Sequence, residues 1–223
     1  MYRHAVLPLL ARVDPETVHD WTLRLLAGVS RVPALHPLLH RCFDYADPRL
    51  HVDLWGLHFR NPLGVAAGLD KNGRAVAALL ALGWGHVEVG TVTPLPQAGN
   101  PRPRIFRLAN DRGLINRMGF PGQGAEVVAG HLARRSRAPG IVGANIGANK
   151  NSVEAGTAAT DYALALERLY DVADYLTINV SSPNTAGLRD LEDRIRLARL
   201  VESLMEEPLP ATRARPPLVV KLS

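Results

Sequence analysis

Residues 62–92 read PLGVAAGLDKNGRAVAALLALGWGHVEVGTV. Two short apolar runs, Pro62 to Gly68 and His86 to Val92, bracket a stretch from about Arg74 to Leu82 with helical patterning. The runs are apolar almost throughout instead of alternating, which suits strands buried on both faces. Three further runs keep the cadence: Gly140 to Gly147, Tyr175 to Val180 and Pro217 to Leu222. Helical stretches fall between them at about Gly124 to Arg135, Asp161 to Asp171 and Leu191 to Met205. Strand, helix, strand in repetition means parallel pairing through crossovers, hence an α/β sheet, open or closed. No internal repeat or low-complexity tract interrupts it.

Residues 1–45 read differently, with amphipathic patterns and no strand signal. Asp14, Pro15 and Glu16 form a good helix start: a side-chain cap, a preset φ, then an acid at the positive end of the dipole. Val18, Trp21, Leu25, Leu26 and Val29 follow at helical spacing as one apolar stripe. Val6, Leu7, Leu9, Leu10 and Val13 make a smaller patch broken by Pro8, so two small helices are expected, docked on the core or touching a membrane. Phe43 to Pro48 is a polar, proline-marked connection. One later connection is long: roughly 45 residues separate the second apolar run from the third, a length typical of a functional loop. Pro94, Pro96, Gly99, Pro101 and Pro103 keep its first part out of any central strand.

With 223 residues and 47% hydrophobic content, the chain can bury one substantial core, and 21% charged residues fit a soluble globular protein. No run approaches the roughly 18 uninterrupted apolar residues of a spanning helix, and no signal peptide is visible, so the bulk of the chain is expected in the cytoplasm. The single Cys42 excludes an intrachain disulfide framework and thiolate metal clusters, and is given no catalytic role. The net charge of +5 is carried by arginine, since Lys71, Lys150 and Lys221 are the only lysines. With no RNP motif, zinc-finger spacing or dense basic helix, no nucleic-acid partner is expected. The run Arg134, Arg135, Ser136, Arg137 reads as a solvated helix face.

Ligands of parallel barrels and of open parallel sheets alike gather at the carboxyl ends of the strands. The first run ends in Ala66-Ala67-Gly68-Leu69-Asp70-Lys71, the second in Gly90-Thr91 and the third in Asn145. The fourth ends in Asn179-Val180-Ser181-Ser182-Pro183-Asn184-Thr185, and the fifth carries Lys221. Asparagine, serine and lysine are poor β-formers and costly to bury unpaired. Each alone has an ordinary explanation: Asn179 satisfying a loop backbone, Ser182-Pro183 turning the chain, Lys71 in water. Together they give one mouth carboxamides, a hydroxyl and two lysines with scarcely an acid. That set suits an anionic, amide-bearing heterocycle, because carboxamides match both edges of a pyrimidinedione and lysine balances a carboxylate or a developing anion. No His or carboxylate pair has ligand spacing at these ends, so no metal is expected. Gly143 and Gly147 do not make a dinucleotide fingerprint.

At these residues the sequence resembles the dihydroorotate dehydrogenases of the quinone-reducing, membrane-associated class, class 2, over essentially the entire chain. The most specific pieces are Asn61-Pro62-Leu63-Gly64 leading to Ala66 through Lys71, Glu88 through Pro94, Asn116-Arg117-Met118-Gly119-Phe120, and Asn179 through Thr185. The resemblance implies a (β/α)8 barrel with FMN that oxidises dihydroorotate to orotate in pyrimidine synthesis, a C5 proton being removed and a hydride passing from C6 to the flavin. It makes Ser182 the base. A free serine hydroxyl is too weak for that at neutral pH, so its proton is expected to travel on through Thr185 and an ordered water. The soluble relatives look similar but carry cysteine at this position, so serine points to a quinone acceptor. The resemblance places Lys71, Asn116, Arg117, Met118, Gly119, Phe120, Asn179 and Asn184 on the substrate. It places Ala67, Gly68, Leu69, Asp70, Lys71, Thr91, Asn145, Asn179 and Lys221 on FMN, with Lys221 stabilising negative charge on the reduced ring. Arg107 would face a quinone tunnel formed by residues 1–45, at the cytoplasmic side of the cell membrane, peripherally attached. One departure is Ala148, where many relatives carry lysine.

The chain stops at Lys221-Leu222-Ser223, inside the fifth expected strand, where the resembled family continues for three more. A typical eightfold barrel needs about 250 residues. Residues 46–223 are therefore expected to supply about five of the eight strands, leaving the barrel open and lacking the phosphate-binding loops after strands 7 and 8. The isolated chain is expected neither to hold FMN tightly nor to turn over substrate. Two other readings remain open: another FMN-dependent barrel acting on pyrimidines, such as a soluble dihydroorotate or dihydropyrimidine dehydrogenase, and a truncated, non-catalytic protein that binds a membrane or partner through its N-terminal helices.

Overall fold

The computed structural model describes residues 6–109, 111–134, 140–210 and 213–223. Arg135, Ser136 and Arg137 of the basic run lie outside them. Helix α1 spans Leu7–Leu10 and α2 spans Pro15–Ser30. Asp14 caps α2: its Oδ1 accepts from the Thr17 amide at 2.9 Å and the Thr17 hydroxyl at 3.1 Å. The amide bond chiefly holds the Asp14 carboxyl below its ordinary pKa. The expected apolar stripe is split. Leu23 and Leu26 pack against the core and Ala27 is buried, whereas Trp21 and Leu25 point to solvent, 51% and 69% exposed. A third helix not singled out in the sequence, α3 (His36–Phe43), also carries exposed Leu38 and Phe43.

Strands β1 (Val52–Leu54) and β2 (Leu57–Phe59) form an antiparallel hairpin. Trp55 and Gly56 both have positive φ, the geometry of a two-residue turn matching strand twist. This hairpin too was not anticipated, its strands being only three residues each. The parallel cadence then begins: β3 (Gly64–Val65), α4 (Val76–Ala81) and β4 (His86–Val92). The long connection after β4 holds a second hairpin, β5 (Ile105–Leu108) with β6 (Gly113–Asn116), and then α5 (Ala125–Ala133). There follow β7 (Ile141–Ile146), α6 (Lys150–Glu154), α7 (Ala158–Leu169), β8 (Tyr175–Asn179), α8 (Arg194–Glu206) and β9 (Leu218–Lys221).

The five parallel strands stand in sequence order, β3-β4-β7-β8-β9, as in a barrel wall, with β3 and β9 paired on one side only among the described residues. About five strands of the eightfold α/β barrel, preceded by a small helical segment, is the architecture expected above. The first strand is shorter than expected because the chain leaves the ladder early. The Gly68 amide donates to the Gly90 carbonyl and the Gly90 amide to the Asp70 carbonyl, with Gly68 at φ 114°.

The sheet has two distinct faces. Val87, Val89, Val142, Ala144, Ile146, Leu176 and Ile178 point toward the helices and are fully buried, meeting Leu80, Leu132, Tyr162, Leu166 and Leu169. The residues between them in sequence, Glu88, Gly143, Asn145, Tyr175, Thr177 and Asn179, face the barrel interior, where they bond or pack against one another. The apolar face holds the wall together by burial. The polar face is free to build a site.

Candidate active site

The floor of the site lies at the carboxyl ends of β4, β7 and β8. The pairing of β4 with β7 shifts register between Val89 and Val92, and Thr91 joins the interior set. Its hydroxyl donates to Asn145 Oδ1 at 2.6 Å. Asn179 Nδ2 donates to Thr91 Oγ1 at 2.8 Å and to Asn145 Oδ1 at 3.1 Å, and Asn179 Oδ1 accepts from the Ser181 amide and hydroxyl. One layer deeper, Glu88 accepts from Asn145 Nδ2 at 2.9 Å, Thr177 Oγ1 at 2.9 Å and the Tyr175 hydroxyl at 3.1 Å. Burial, then the charge of Glu88, push the Tyr175 hydroxyl far above the ordinary phenol pKa, so it stays a proton donor.

Above this floor opens a cleft of about 460 Å³. Ala67, Gly68, Leu69 and Lys71 line it after β3, Thr91 on β4, Asn179 at the end of β8 with Ser182 and Asn184 beyond it, and Lys221 on β9. Asn116, Met118, Gly119 and Phe120 line it from the long connection. Burial lowers the pKa of the Lys71 ammonium, and the nearby Glu16 carboxylate partly offsets this. Ser182 is nine-tenths buried, and its Oγ accepts from the Asn184 amide at 3.2 Å. Asn184 Nδ2 reaches Asn116 Oδ1 at 3.5 Å, and Asn100 Nδ2 donates to the carbonyls of Arg117 and Asn184, tying the long connection to the serine loop.

Five of the expected residues lie off this lining. Asn145 is fully buried beneath it as part of the floor. The buried Asp70 carboxylate accepts from the amides of Arg74 and Ala75 ahead of α4. Arg117 donates to the Pro103 carbonyl, its guanidinium 5.9 Å from the Phe106 ring centre. Thr185 is buried next to the serine loop, with no direct hydrogen bond joining its hydroxyl to Ser182 among the described residues. Arg107 donates to the Val13 carbonyl at 2.5 Å and the Ala11 carbonyl at 3.4 Å, binding the hairpin to the segment between α1 and α2.

The helix α2 closes one side of the cleft. His19 on it lines the cleft and bonds the Leu69 carbonyl at 2.7 Å. Glu16 forms a buried pair with Arg104, with Nη2 to Oε1 at 2.6 Å, and the more exposed Arg102 joins at 3.0 Å. Among the described residues, no group of His, Cys, Asp and Glu is placed to hold a metal ion, and no helix is long and apolar enough to cross a membrane.

Over residues 49–223 the sequence matches the family model described as dihydroorotate dehydrogenase. The chain belongs to the dihydroorotate dehydrogenase family. Among its relatives is the dihydroorotate dehydrogenase (quinone) of Deinococcus deserti, 48% identical over 227 residues covering 100% of this chain and 62% of that protein. Another is that of Acidithiobacillus ferrooxidans, 48% identical over 217 residues covering 96% of this chain and 60% of that one. Among solved structures, an Eimeria tenella dihydroorotate dehydrogenase in complex with ferulenol superposes with a TM-score of 0.80 at 39% identity, over 94% of this chain and 59% of that one. The chain thus spans about 60% of the length of the curated dihydroorotate dehydrogenases it matches.

Sequence reasoning missed His19 on the lining of this cleft, the Glu16–Arg104 pair beside it and Glu88 beneath its floor. Glu16 was read only as a helix-dipole acid, and Arg104 and His19 were not singled out. Glu88 stood inside a quoted motif without a role. A glutamate in the middle of an apolar run was the available signal, since a charge there needs partners.

Proposed function

We propose that these residues form the flavin- and substrate-facing wall of a quinone-reducing dihydroorotate dehydrogenase that oxidises dihydroorotate to orotate in pyrimidine synthesis. The observation that carries this reading is convergence: four segments singled out by residue type at strand ends and a fifth, Asn116 to Phe120, singled out by the family resemblance line one cleft. The cleft suits FMN. A Cβ built on Gly68 meets nothing within 4 Å, so backbone there adjoins open space that a flat ring can approach, and the floor offers amides and a hydroxyl. FMN, when bound, supplies the hydride acceptor and relays electrons to the quinone.

The chain's own residues do the rest. Asn116 and Asn184 present amide edges that orient the pyrimidine, a task of positioning, and Asn179, its own amide engaged by Thr91, Asn145 and Ser181, holds the floor against which the ring lies. Lys71 balances negative charge of flavin and substrate, while Ala67, Gly68, Leu69, Thr91, Asn145 and Lys221 serve the flavin side. Ser182 Oγ takes the C5 proton, helped by the Asn184 amide that already donates to it, and Thr185 passes the proton on through a water. Residues 1–45 form a peripheral attachment to the cytoplasmic side of the cell membrane and give quinone its access beside His19 and Arg107. The outward Trp21, Leu25, Leu38 and Phe43 support that reading, being large, apolar and exposed.

In a full-length protein carrying this sequence, a short-chain quinone is expected to reoxidise the dihydroorotate-reduced flavin, while fumarate and nicotinamide do not. Turnover with fumarate or nicotinamide instead would favour one of the soluble classes. Among the described residues of the 223-residue polypeptide, β3 and β9 are each paired on one side only, and Lys221 is exposed. The polypeptide by itself is therefore expected to emerge from gel filtration colourless after incubation with FMN; a yellow peak would contradict this.

A further inference from the structure

We propose that Glu88 is a positioning residue whose carboxylate, in the barrel interior below the cleft, fixes the Asn145 amide and through it the donor and acceptor polarity of Thr91 and Asn179. The proposal rests on the flavin reading above. An amide can be built either way round, and its hydrogen-bond partners decide. A carboxylate only accepts, so Asn145 must turn Nδ2 toward Glu88 and Oδ1 toward the floor. With Oδ1 there, the Thr91 hydroxyl donates to it, leaving the Thr91 oxygen to accept from Asn179 Nδ2. Asn179 must then aim its own oxygen at Ser181, at the start of the serine loop. The Glu88 carboxylate, which only accepts, and the Ser181 amide, which only donates, thus fix the direction of the bonds between the deeper layer and the cleft from opposite ends.

The surrounding structure is built to hold that carboxylate. Tyr175 and Thr177 both donate to its second oxygen. The Tyr175 ring lies where any side chain at position 143 would be: a Cβ on Gly143 would come within 2.2 Å of the ring. Trp55, from the turn between β1 and β2, packs against the same ring with centres 6.0 Å apart. Glu88 itself touches neither substrate nor cofactor in this arrangement; it acts through Asn145.

The test is a double-mutant cycle read by FMN affinity and the flavin absorption spectrum in the full-length protein, with folding checked by circular dichroism. Glu88→Ala is expected to weaken FMN binding about tenfold, the scale of a disrupted, partly buried hydrogen-bond set. Adding it to Asn145→Ala should cost little more, because the two act in series. Glu88→Gln should stay near wild type, since the Tyr175 and Thr177 hydroxyls can rotate to accept from the new amide. If Glu88→Ala does not fold, Asn145→Asp decides. Alone it opposes two carboxylates and loses affinity; with Glu88→Gln the bond re-forms with reversed polarity and affinity returns. Additive losses in the cycle, wild-type affinity in folded Glu88→Ala, or no recovery in the Asn145→Asp, Glu88→Gln pair would each overturn the proposal. A wild-type full-length protein that binds no FMN would instead remove the reading beneath it.

Discussion

Replacing Ser182 with alanine is expected to slow flavin reduction by dihydroorotate about 10²- to 10⁴-fold in the full-length protein, the range attributed to a positioned general base. FMN affinity should hardly change, because Ser182 makes no bond to the floor residues Thr91, Asn145 and Asn179. The geometry sets up the difference. Ser182 Oγ sits on the cleft lining, nine-tenths buried, and already accepts from the Asn184 amide, a donor that stabilises negative charge developing on that oxygen. Anaerobic stopped-flow reduction measures the step without the quinone half-reaction. Reduction at the wild-type rate would remove Ser182 from its role. Thr185→Val should show a smaller loss, since a water can still carry the proton from Ser182 without it.

A second large effect is expected on stability. Arg104→Ala strands the Glu16 carboxylate, whose buried side chain is then left with only the more exposed Arg102. Breaking a buried pair by removing one partner costs about 3–5 kcal/mol. Arg104 also donates to the Ala98 and Asn100 carbonyls, so the loss reaches the loop that holds the serine segment through Asn100. Removing both charges with Glu16→Ala and Arg104→Ala should restore part of the stability, because no orphan charge remains. The Glu16 carboxyl is held below its ordinary value of 4.5, chiefly by its hydrogen bond from Arg104. The pair's contribution is therefore fully present above about pH 4.5 and is lost as pH falls through the lower folded value. Denaturant titration at neutral and acid pH measures both effects. Single variants within about 1 kcal/mol of wild type would place this pair with weak surface pairs.

The two effects meet at α2. Its first turn carries Glu16 and its second His19, which touches both the cleft and the Leu69 carbonyl. Glu16 also raises the Lys71 pKa against the lowering by burial. Loss of Glu16 should make Lys71 easier to deprotonate, coupling the docking of a helix to charge in the cleft.

The parts of this fold that follow a period were readable in the sequence. His86 to Val92 is found as a strand at the expected bounds, and the four expected crossover helices lie within a few residues of their expected positions. What escaped notice is short or depends on long-range partners. The hairpin at Val52–Leu54 and Leu57–Phe59 offers too few residues to show alternation. The hairpin at Ile105–Leu108 and Gly113–Asn116 was hidden inside a connection marked by proline. The stripe from Trp21 to Leu25 was legible as apolar, yet which part of it faces the core depends on helices that periodicity alone does not place. At the site, residue type at strand ends singled out Lys71, Thr91, Asn179, Ser182 and Lys221, and all five line one cleft. Neither residue type nor the resemblance separated lining from support: Asp70 and Arg117 share a motif with lining residues, but their side chains turn to the backbone.

Crystals of the full-length protein grown with FMN and orotate offer the most direct measurement. Orotate is expected between Lys71, Asn116, Asn179 and Asn184, with Ser182 Oγ facing C5 and the flavin ring over the floor formed by Thr91 and Asn179. Orotate bound elsewhere, or a flavin that leaves these side chains in solvent, would contradict the convergence on which the functional reading stands.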